Sequence, residues 1–146
     1  MLAKSFSRFL VRAAALVVLA GTLSAASASA ADASLAGTHW RLLSVGGMDA
    51  EASRREPFIL LDANGQIAGG TGCNRFSGGY VVDGDYLTIG EVATTRMYCA
   101  PVWEQERAIL DTLPRVTRWQ VSGDRLELID RTGVVLAVFE AEARGN

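Results

Sequence analysis

The sequence predicts a mainly β fold, an antiparallel barrel or sandwich that carries one amphipathic helix. Short apolar runs recur between turns rich in glycine, asparagine and aspartate, and one later stretch has helical periodicity. The length of 146 residues corresponds to a single domain. With 49% apolar and 21% charged residues, the composition is that of a globular protein rather than a disordered or repetitive one.

Tight turns separate the predicted strands. Asn64-Gly65 lies between two such runs, and Asn-Gly readily adopts the positive φ angles of a hairpin turn. Glycine-containing turns at 83–85, 122–124 and 131–133 separate the later runs. The predicted strands are His39–Val45, Phe58–Leu61, 66–69, 80–82, 86–89, 118–121, Arg125–Ile129 and 134–139, with an exposed loop at 48–56.

A helix is predicted over residues 101–113, between Pro101 in its first turn and Pro114 after its end. Val102, Ile109 and Leu113 fall on one side, which we expect to pack on the sheet. Trp103 and Leu110 are predicted to lie beside this apolar side. The residues predicted to face away from the sheet include Glu104, Gln105, Arg107 and Asp111.

Residues 1–30 predict a secretory signal peptide. Three basic residues precede an uncharged apolar run, and Ala28-Ser29-Ala30 offers the small residues that leader peptidase accepts. The run is about half the roughly 20 residues that a membrane-spanning helix needs, so we expect cleavage near Ala30 and no stable membrane anchor. Because Thr22 stands where a lipoprotein has its lipidated cysteine, we expect a free periplasmic or secreted protein.

Charge and composition disfavour several function classes. The net charge is −2, and removal of the leader leaves 11 basic against 16 acidic residues. Because nucleic-acid binders carry a basic face, we expect no nucleic-acid partner. One histidine and two cysteines are too few for most zinc sites, so we predict no metal site and no cofactor.

The glycine-rich segment 69–80 invites comparison with phosphate-binding loops. It lacks the Gly-Lys-Ser/Thr ending of a P-loop, and Arg75 stands where the dinucleotide-binding pattern needs its third glycine. The parallel βαβ unit that such loops require is not predicted either. The segment is therefore not interpreted as a phosphate site.

Two cysteine-containing segments carry a family resemblance. Gly72-Cys73-Asn74-Arg75-Phe76 precedes a predicted strand, and Thr95-Arg96-Met97-Tyr98-Cys99 precedes the acidic helix. In this order, with a final strand ending at Phe139, they resemble the META domain family, also called HslJ-like. The resemblance covers about residues 35–140 and predicts a META domain over residues 31–146.

The resemblance implies a small antiparallel β-barrel of lipocalin-like topology with one packed helix. Members of the family are mostly envelope or secreted bacterial proteins, loosely tied to heat stress, novobiocin resistance and, in trypanosomatid relatives, virulence. No enzymatic activity and no agreed ligand come with the family, so no catalytic residues are carried over. Many envelope relatives have a lipidation cysteine, which this sequence lacks.

The two cysteines, Cys73 and Cys99, are expected to pair in the oxidising compartment to which the leader directs the chain. A reactive thiol is the alternative, with His39 and Asn74 as the only candidate partners for a thiol hydrolase. Since a disulfide would consume the nucleophile, we predict a protein that is not an enzyme.

A candidate contact surface lies beside the cysteines. Asn74, Arg75, Arg96 and Tyr98 occur in the two segments that a disulfide would join, and they would suit an anion or a peptide. Alternatively, the arginines hydrogen-bond the carbonyl groups of irregular loops.

The sequence favours a monomeric, periplasmic binding module for envelope maintenance, stress tolerance or novobiocin-type resistance, with an envelope protein or a small ligand as partner. One alternative is a carrier that holds a small apolar ligand inside the barrel. Another is an inhibitor that presents the loop 48–56 to an envelope enzyme.

Overall fold

The computed structural model describes residues 33–51 and 55–142. The predicted signal peptide (residues 1–30) and its cleavage near Ala30 lie outside the described residues and stay predictions. Within the described ranges, no helix has the length and apolar composition needed to cross a bilayer.

Nine strands and one α-helix make up the described fold. The strands are β1 (His39–Val45), β2 (Met48–Asp49), β3 (Phe58–Leu61), β4 (Gln66–Gly70), β5 (Arg75–Asp83), β6 (Tyr86–Thr94), β7 (Arg118–Ser122), β8 (Arg125–Ile129) and β9 (Val135–Ala141). The helix α1 (Trp103–Thr112) is flanked by 3₁₀ turns at Ala100–Val102 and Leu113–Arg115.

The strands form one antiparallel sheet that closes on itself. From β3 to β9 each strand pairs with the next along the chain, and β1 pairs with both β3 and β9. This ring-like sheet confirms the predicted mainly β, antiparallel, barrel-like fold. The hairpin turn after β3 places Gly65 at a φ of +82°, as the Asn-Gly pattern predicts.

Apolar side chains fill the interior of the ring. Trp40 is fully buried, and its indole N–H donates to the carbonyl oxygen of Leu35 at 3.0 Å. Every strand except β2 and β7 contributes at least one fully or nearly fully buried residue. These include Leu42, Val45, Ile59, Leu61, Ile67, Phe76, Leu87, Ile89, Leu126, Leu128, Leu136 and Phe139. Candidate binding surfaces therefore lie at the ends and on the outer face of the ring.

Different segments cover the two ends of the ring. At one end, residues 33–36 lie against the β7–β8 turn, where the Ala33 amide donates to the Gly123 carbonyl at 2.8 Å. Leu35, in this segment, is buried in the core. At the other end, α1 packs against β1 and β9, which places it beside the cysteine-bearing loops.

The helix matches its prediction except for two side chains. Val102, Ile109 and Leu113 are buried, as expected. Gln105, predicted to face away from the sheet, is buried because it precedes Ile109 by four residues and therefore shares its face. Trp103, placed beside the apolar side, is 45% exposed and has the Arg107 guanidinium 4.9 Å from its ring centroid.

Two segments treated as irregular in the sequence are partly strands. The glycine-rich segment belongs largely to β4 and β5, which pair from Gln66↔Gly79 to Gly70↔Arg75. Gly69 lies opposite Phe76, and a Cβ at Gly69 would be 2.3 Å from the phenyl ring, so glycine lets this ring lie on the strand. The predicted loop 48–56 begins with β2, which pairs with the end of β1.

Candidate contact surface

The predicted disulfide is present and joins the two cysteine-bearing segments. Cys73 and Cys99 are bonded, with their Cα atoms 5.9 Å apart. Cys73 lies in the turn between β4 and β5, and Cys99 immediately precedes the first 3₁₀ turn before α1. The bond therefore fixes the loop 95–99 to the β4–β5 turn, and Cys73 has no free thiol to act as a nucleophile.

Asn74 holds the same loop from beneath. Its side chain is 2% exposed, and its amide nitrogen donates to the Met97 carbonyl oxygen at 2.8 Å. Its amide oxygen accepts from the Met97 N–H and from the Thr95 hydroxyl, both at 2.8 Å. Because irregular backbone has no ladder partners, these bonds supply what secondary structure would otherwise provide.

The helix contributes two further polar side chains to this network. The Glu106 carboxylate accepts from Asn74 Nδ2 at 2.9 and 3.0 Å and from the Thr71 hydroxyl at 2.9 Å. Gln105 donates to the Thr71 carbonyl at 3.1 Å and accepts from the Glu51 N–H at 2.7 Å. The network thus ties the start of α1 to the β4–β5 turn and to the segment after β2.

Several exposed apolar side chains lie on the segments that this network holds. Met97 and Tyr98 are 53% and 81% exposed, and Met48 and Trp103 are also exposed. Met48 and Trp103 line one depression of about 200 Å³ at this end of the ring. We call Met48, Arg96, Met97, Tyr98 and Trp103 the loop surface.

Three of the four candidate contact residues are exposed, and one is not. Arg75, Arg96 and Tyr98 face solvent on the two segments that the disulfide joins. Asn74 differs from its prediction: its side chain points inward, because the loop 95–99 passes over it and uses its amide as a hydrogen-bonding partner. Asn74 supports this surface but does not form part of it.

Sequence reasoning did not assign six residues to this region. Thr71, Gln105 and Glu106 complete the buried network, and Met48, Met97 and Trp103 belong to the loop surface. A signal for Gln105 was available in its helical spacing from Ile109. Nothing in the sequence indicates that Thr71 and Glu106 would meet, since they are 35 residues apart.

The described residues do not assemble the thiol site that the sequence offered as an alternative. His39, the other candidate for thiol chemistry, lies with its Nδ1 2.7 Å from Glu142 Oε2 and its ring stacked on Phe58. Among the residues that the structure describes, no three His, Cys, Asp or Glu side chains cluster as a metal site would need. The notable features are preorganised loops and exposed apolar side chains.

The chain is similar to several proteins of known structure. It is 26% identical to a protein from Burkholderia xenovorans solved by NMR, with a TM-score of 0.60 over 75% of this chain and 85% of that one. A DUF4847 family protein from Bacteroides vulgatus shares the fold, with 12% identity and a TM-score of 0.57 over 76% of this chain and 96% of that one.

No functionally curated protein matches the chain. The profile of the META domain matches residues 33–143, which includes every strand, the helix and both cysteines. The match covers most of the chain and agrees with the resemblance carried by the two cysteine-containing segments. The chain belongs to the META domain family.

Proposed function

We propose that the protein is a non-enzymatic binding module that docks a protein partner on its loop surface. The observation that carries this proposal is that Met97 and Tyr98 expose their side chains on a loop whose backbone is held in place. The backbone of Met97 is held through both its N–H and its carbonyl by Asn74, and the next cysteine is bonded to Cys73.

Restraint of this kind favours binding. Association costs less conformational entropy when a loop is already ordered, and tyrosine, tryptophan and methionine are enriched where protein partners meet. Isolated exposed apolar residues are common, but four on neighbouring restrained segments favour an interaction site.

We further propose that the module acts in the periplasm, in envelope maintenance, stress tolerance or novobiocin-type resistance. The predicted leader and the disulfide support an oxidising compartment. The physiological role rests on the family resemblance alone. An envelope protein is the expected partner of a monomeric module.

Site-specific photocrosslinking in the periplasm tests the docking proposal. A photoreactive phenylalanine analogue replaces Tyr98 in one variant and Tyr86 in a matched control, since Tyr86 is 61% exposed but lies away from the loop surface. We expect a discrete crosslinked partner from position 98 and none from position 86. Tyr98→Ala should then weaken binding of that purified partner by about tenfold or more, the loss typical of a hot-spot residue, whereas Tyr86→Ala should not.

Equal crosslinking from both positions, or a partner whose affinity is unchanged by Tyr98→Ala, would contradict the proposal.

If the partner is an envelope enzyme, its activity with and without the protein decides whether the module is an inhibitor. That alternative uses residues 48–56, of which 52–54 lie outside the described part of the chain.

A second candidate function is the carrier. Because apolar side chains fill the interior of the ring, its ligand would lie in an apolar cleft at the end of the ring opposite α1 instead of at the predicted position inside the barrel. The cleft has a volume of about 440 Å³ and is lined by Leu35, Val121, Tyr80 and Trp119, among others. This is within the size range of small-molecule sites. The Tyr80 hydroxyl in this cleft already has a partner, because it donates to the Asp62 carbonyl. Burial raises the pKa of Tyr80.

The ligand of a carrier would therefore be held by apolar contact. Native mass spectrometry of protein purified from the periplasm distinguishes the two functions. A bound mass that is lost in Trp119→Ala but kept in Tyr98→Ala would favour the carrier.

A further inference from the structure

We propose that the outer face of the β3–β6 strands binds a small carboxylate with an apolar, aromatic body. A cleft of about 470 Å³ opens there, which we call the outer cleft. It shares no lining residue with the loop surface, and its proposed ligand is independent of the protein partner proposed above. Its lining residues include Phe58, Ala68, Arg75, Ser77, Ala93 and Thr94.

The floor of the outer cleft is made of small side chains in register. Ala68 lies opposite Ser77, and Ser77 lies opposite Ala93, so three adjacent strands present these residues side by side. All three are exposed, and together they leave a shallow, mostly apolar depression between larger neighbours. A flat hydrocarbon body can lie on such a floor.

Phe58 forms an aromatic wall whose position is fixed. Its outward ring lies across Gly70, where a Cβ would be only 3.0 Å from Cε1 of the ring. The ring also stacks on His39, with 4.3 Å between centroids and an interplanar angle of 23°. The ring is thus held by two contacts before any ligand arrives, which suits stacking against a second aromatic group.

Arg75 supplies the charge. It is the only charged residue among those that line the outer cleft, in a protein whose net charge is −2. Four other arginines form ion pairs with carboxylates, namely Arg41, Arg115, Arg118 and Arg125. Within the described residues, the Arg75 guanidinium has neither an ion pair nor a hydrogen bond.

The chemistry of these groups selects a carboxylate. A guanidinium binds a carboxylate through two parallel N–H···O bonds. The Ser77 hydroxyl lines the same cleft and, in the described part of the chain, has no hydrogen-bonding partner, so it is available as a further donor. A ligand with a carboxylate at Arg75 and an aromatic body against Phe58 and the alanine floor would use every part of the cleft.

Titrations followed by ¹⁵N–¹H correlation spectra test this site. Phenylacetate is the probe, and phenylacetamide is its neutral counterpart of the same shape. We expect phenylacetate to shift the amide resonances of Ala68, Ser77 and Ala93 saturably. Phenylacetamide should bind about tenfold more weakly, the lower end of what a charge-assisted hydrogen bond contributes.

Arg75→Gln should weaken phenylacetate binding by about tenfold. Its fold should survive, because Arg75 contacts its neighbours through its backbone: its N–H donates to the Thr95 hydroxyl, and its carbonyl accepts from the Thr95 N–H. Arg131→Gln is the matched control, since Arg131 is exposed in the turn between β8 and β9 and lies outside both the cleft lining and the loop surface. Its affinity for phenylacetate should equal that of the wild type.

Three results would overturn the proposal. The first is an absence of saturable shifts at the outer cleft, and the second is equal affinity for phenylacetate and phenylacetamide. The third is an equal loss of affinity in Arg131→Gln and Arg75→Gln, which would indicate nonspecific charge attraction. None of these results bears on the Tyr98 crosslinking experiment, so the two proposals stand or fall separately.

Discussion

Replacement of Asn74 by alanine should destabilise the protein by about 3 kcal/mol at pH 7. The substitution removes bonds to the Met97 N–H, the Met97 carbonyl, the Thr95 hydroxyl and the Glu106 carboxylate. A buried polar group left without a partner costs about 1–3 kcal/mol. Because Thr95 and Met97 are exposed residues, water can replace some of these bonds, which lowers the total from the sum of all four.

Urea-induced unfolding followed by tryptophan fluorescence measures this loss. Gln120→Ala is the matched control, since Gln120 also carries an amide but is exposed on β7, outside any turn. We expect the control to lie within about 0.5 kcal/mol of the wild type. A loss below about 1 kcal/mol for Asn74→Ala would refute the argument that this amide holds the loop.

Asn74→Asp tests the position of Glu106 separately. It would place a carboxylate oxygen where Asn74 Nδ2 now lies, within 3.0 Å of both carboxylate oxygens of Glu106. The like charges destabilise the folded state, and protonation of either carboxyl removes the repulsion. The destabilisation relative to the wild type should therefore be smaller at pH 4 than at pH 7, and a difference independent of pH would contradict the observed geometry.

Three further predictions concern the disulfide, the glycine-rich strands and one carboxylate. Changing both Cys73 and Cys99 to alanine should cost about 3.5 kcal/mol, the chain-entropy value for their separation of 26 residues, and reduced wild type should unfold at a similar urea concentration. Gly69→Ala should cost about 2 kcal/mol because its Cβ would overlap a buried phenyl ring. Gly79→Ala should stay within about 0.5 kcal/mol, because its Cβ would be in ordinary contact, 3.8 Å from the Gly65 carbonyl oxygen; equal effects would refute this reasoning. Hydrogen bonds from the Thr132 side chain and the Val134 backbone lower the pKa of Asp130 in the folded state. The ionised carboxylate therefore stabilises the fold at pH values above the ordinary pKa of an aspartate, and this stabilisation is lost as the pH falls through the lowered pKa of the folded state. Asp130→Asn should accordingly lose less stability than the wild type between about pH 5 and pH 2, as measured by urea midpoints, and equal losses would contradict the assignment.

The hairpins were predictable because their determinants are local. Asn64-Gly65 specifies a turn through its own backbone preferences, and Phe58–Leu61 and Arg125–Ile129 were assigned with the bounds that the structure has. The pairing of Cys73 with Cys99 followed from the number of cysteines. In each case the controlling residues are few, and their chemistry does not depend on distant neighbours.

The strand character of the glycine-rich segment could not be predicted in the same way. The predicted strand ends at Gly69, but β4 continues to Gly70, which has no side chain to show a period of two and whose bare backbone fits against the Phe58 ring. That fit involves another strand. Likewise, Asn74 looks like a surface residue in the sequence, and only the path of the loop 95–99 over it makes it buried.

The buried network and the ring make different contributions to the fold. The ring is stabilised by apolar side chains such as Trp40, Leu61 and Leu128, whose burial does not depend on the path of the loop 95–99. A buried polar network contributes less net stability than an apolar core, but its hydrogen bonds form in only one arrangement of the groups that make them. If this network holds Tyr98 in position for binding, Asn74→Ala should lower crosslinking from position 98 at urea concentrations where the ring is still folded. If the network only stabilises the fold, crosslinking should fall only as the whole protein unfolds. The loss of crosslinking and the unfolding of the ring, measured on one sample, therefore distinguish a binding surface from an incidental loop.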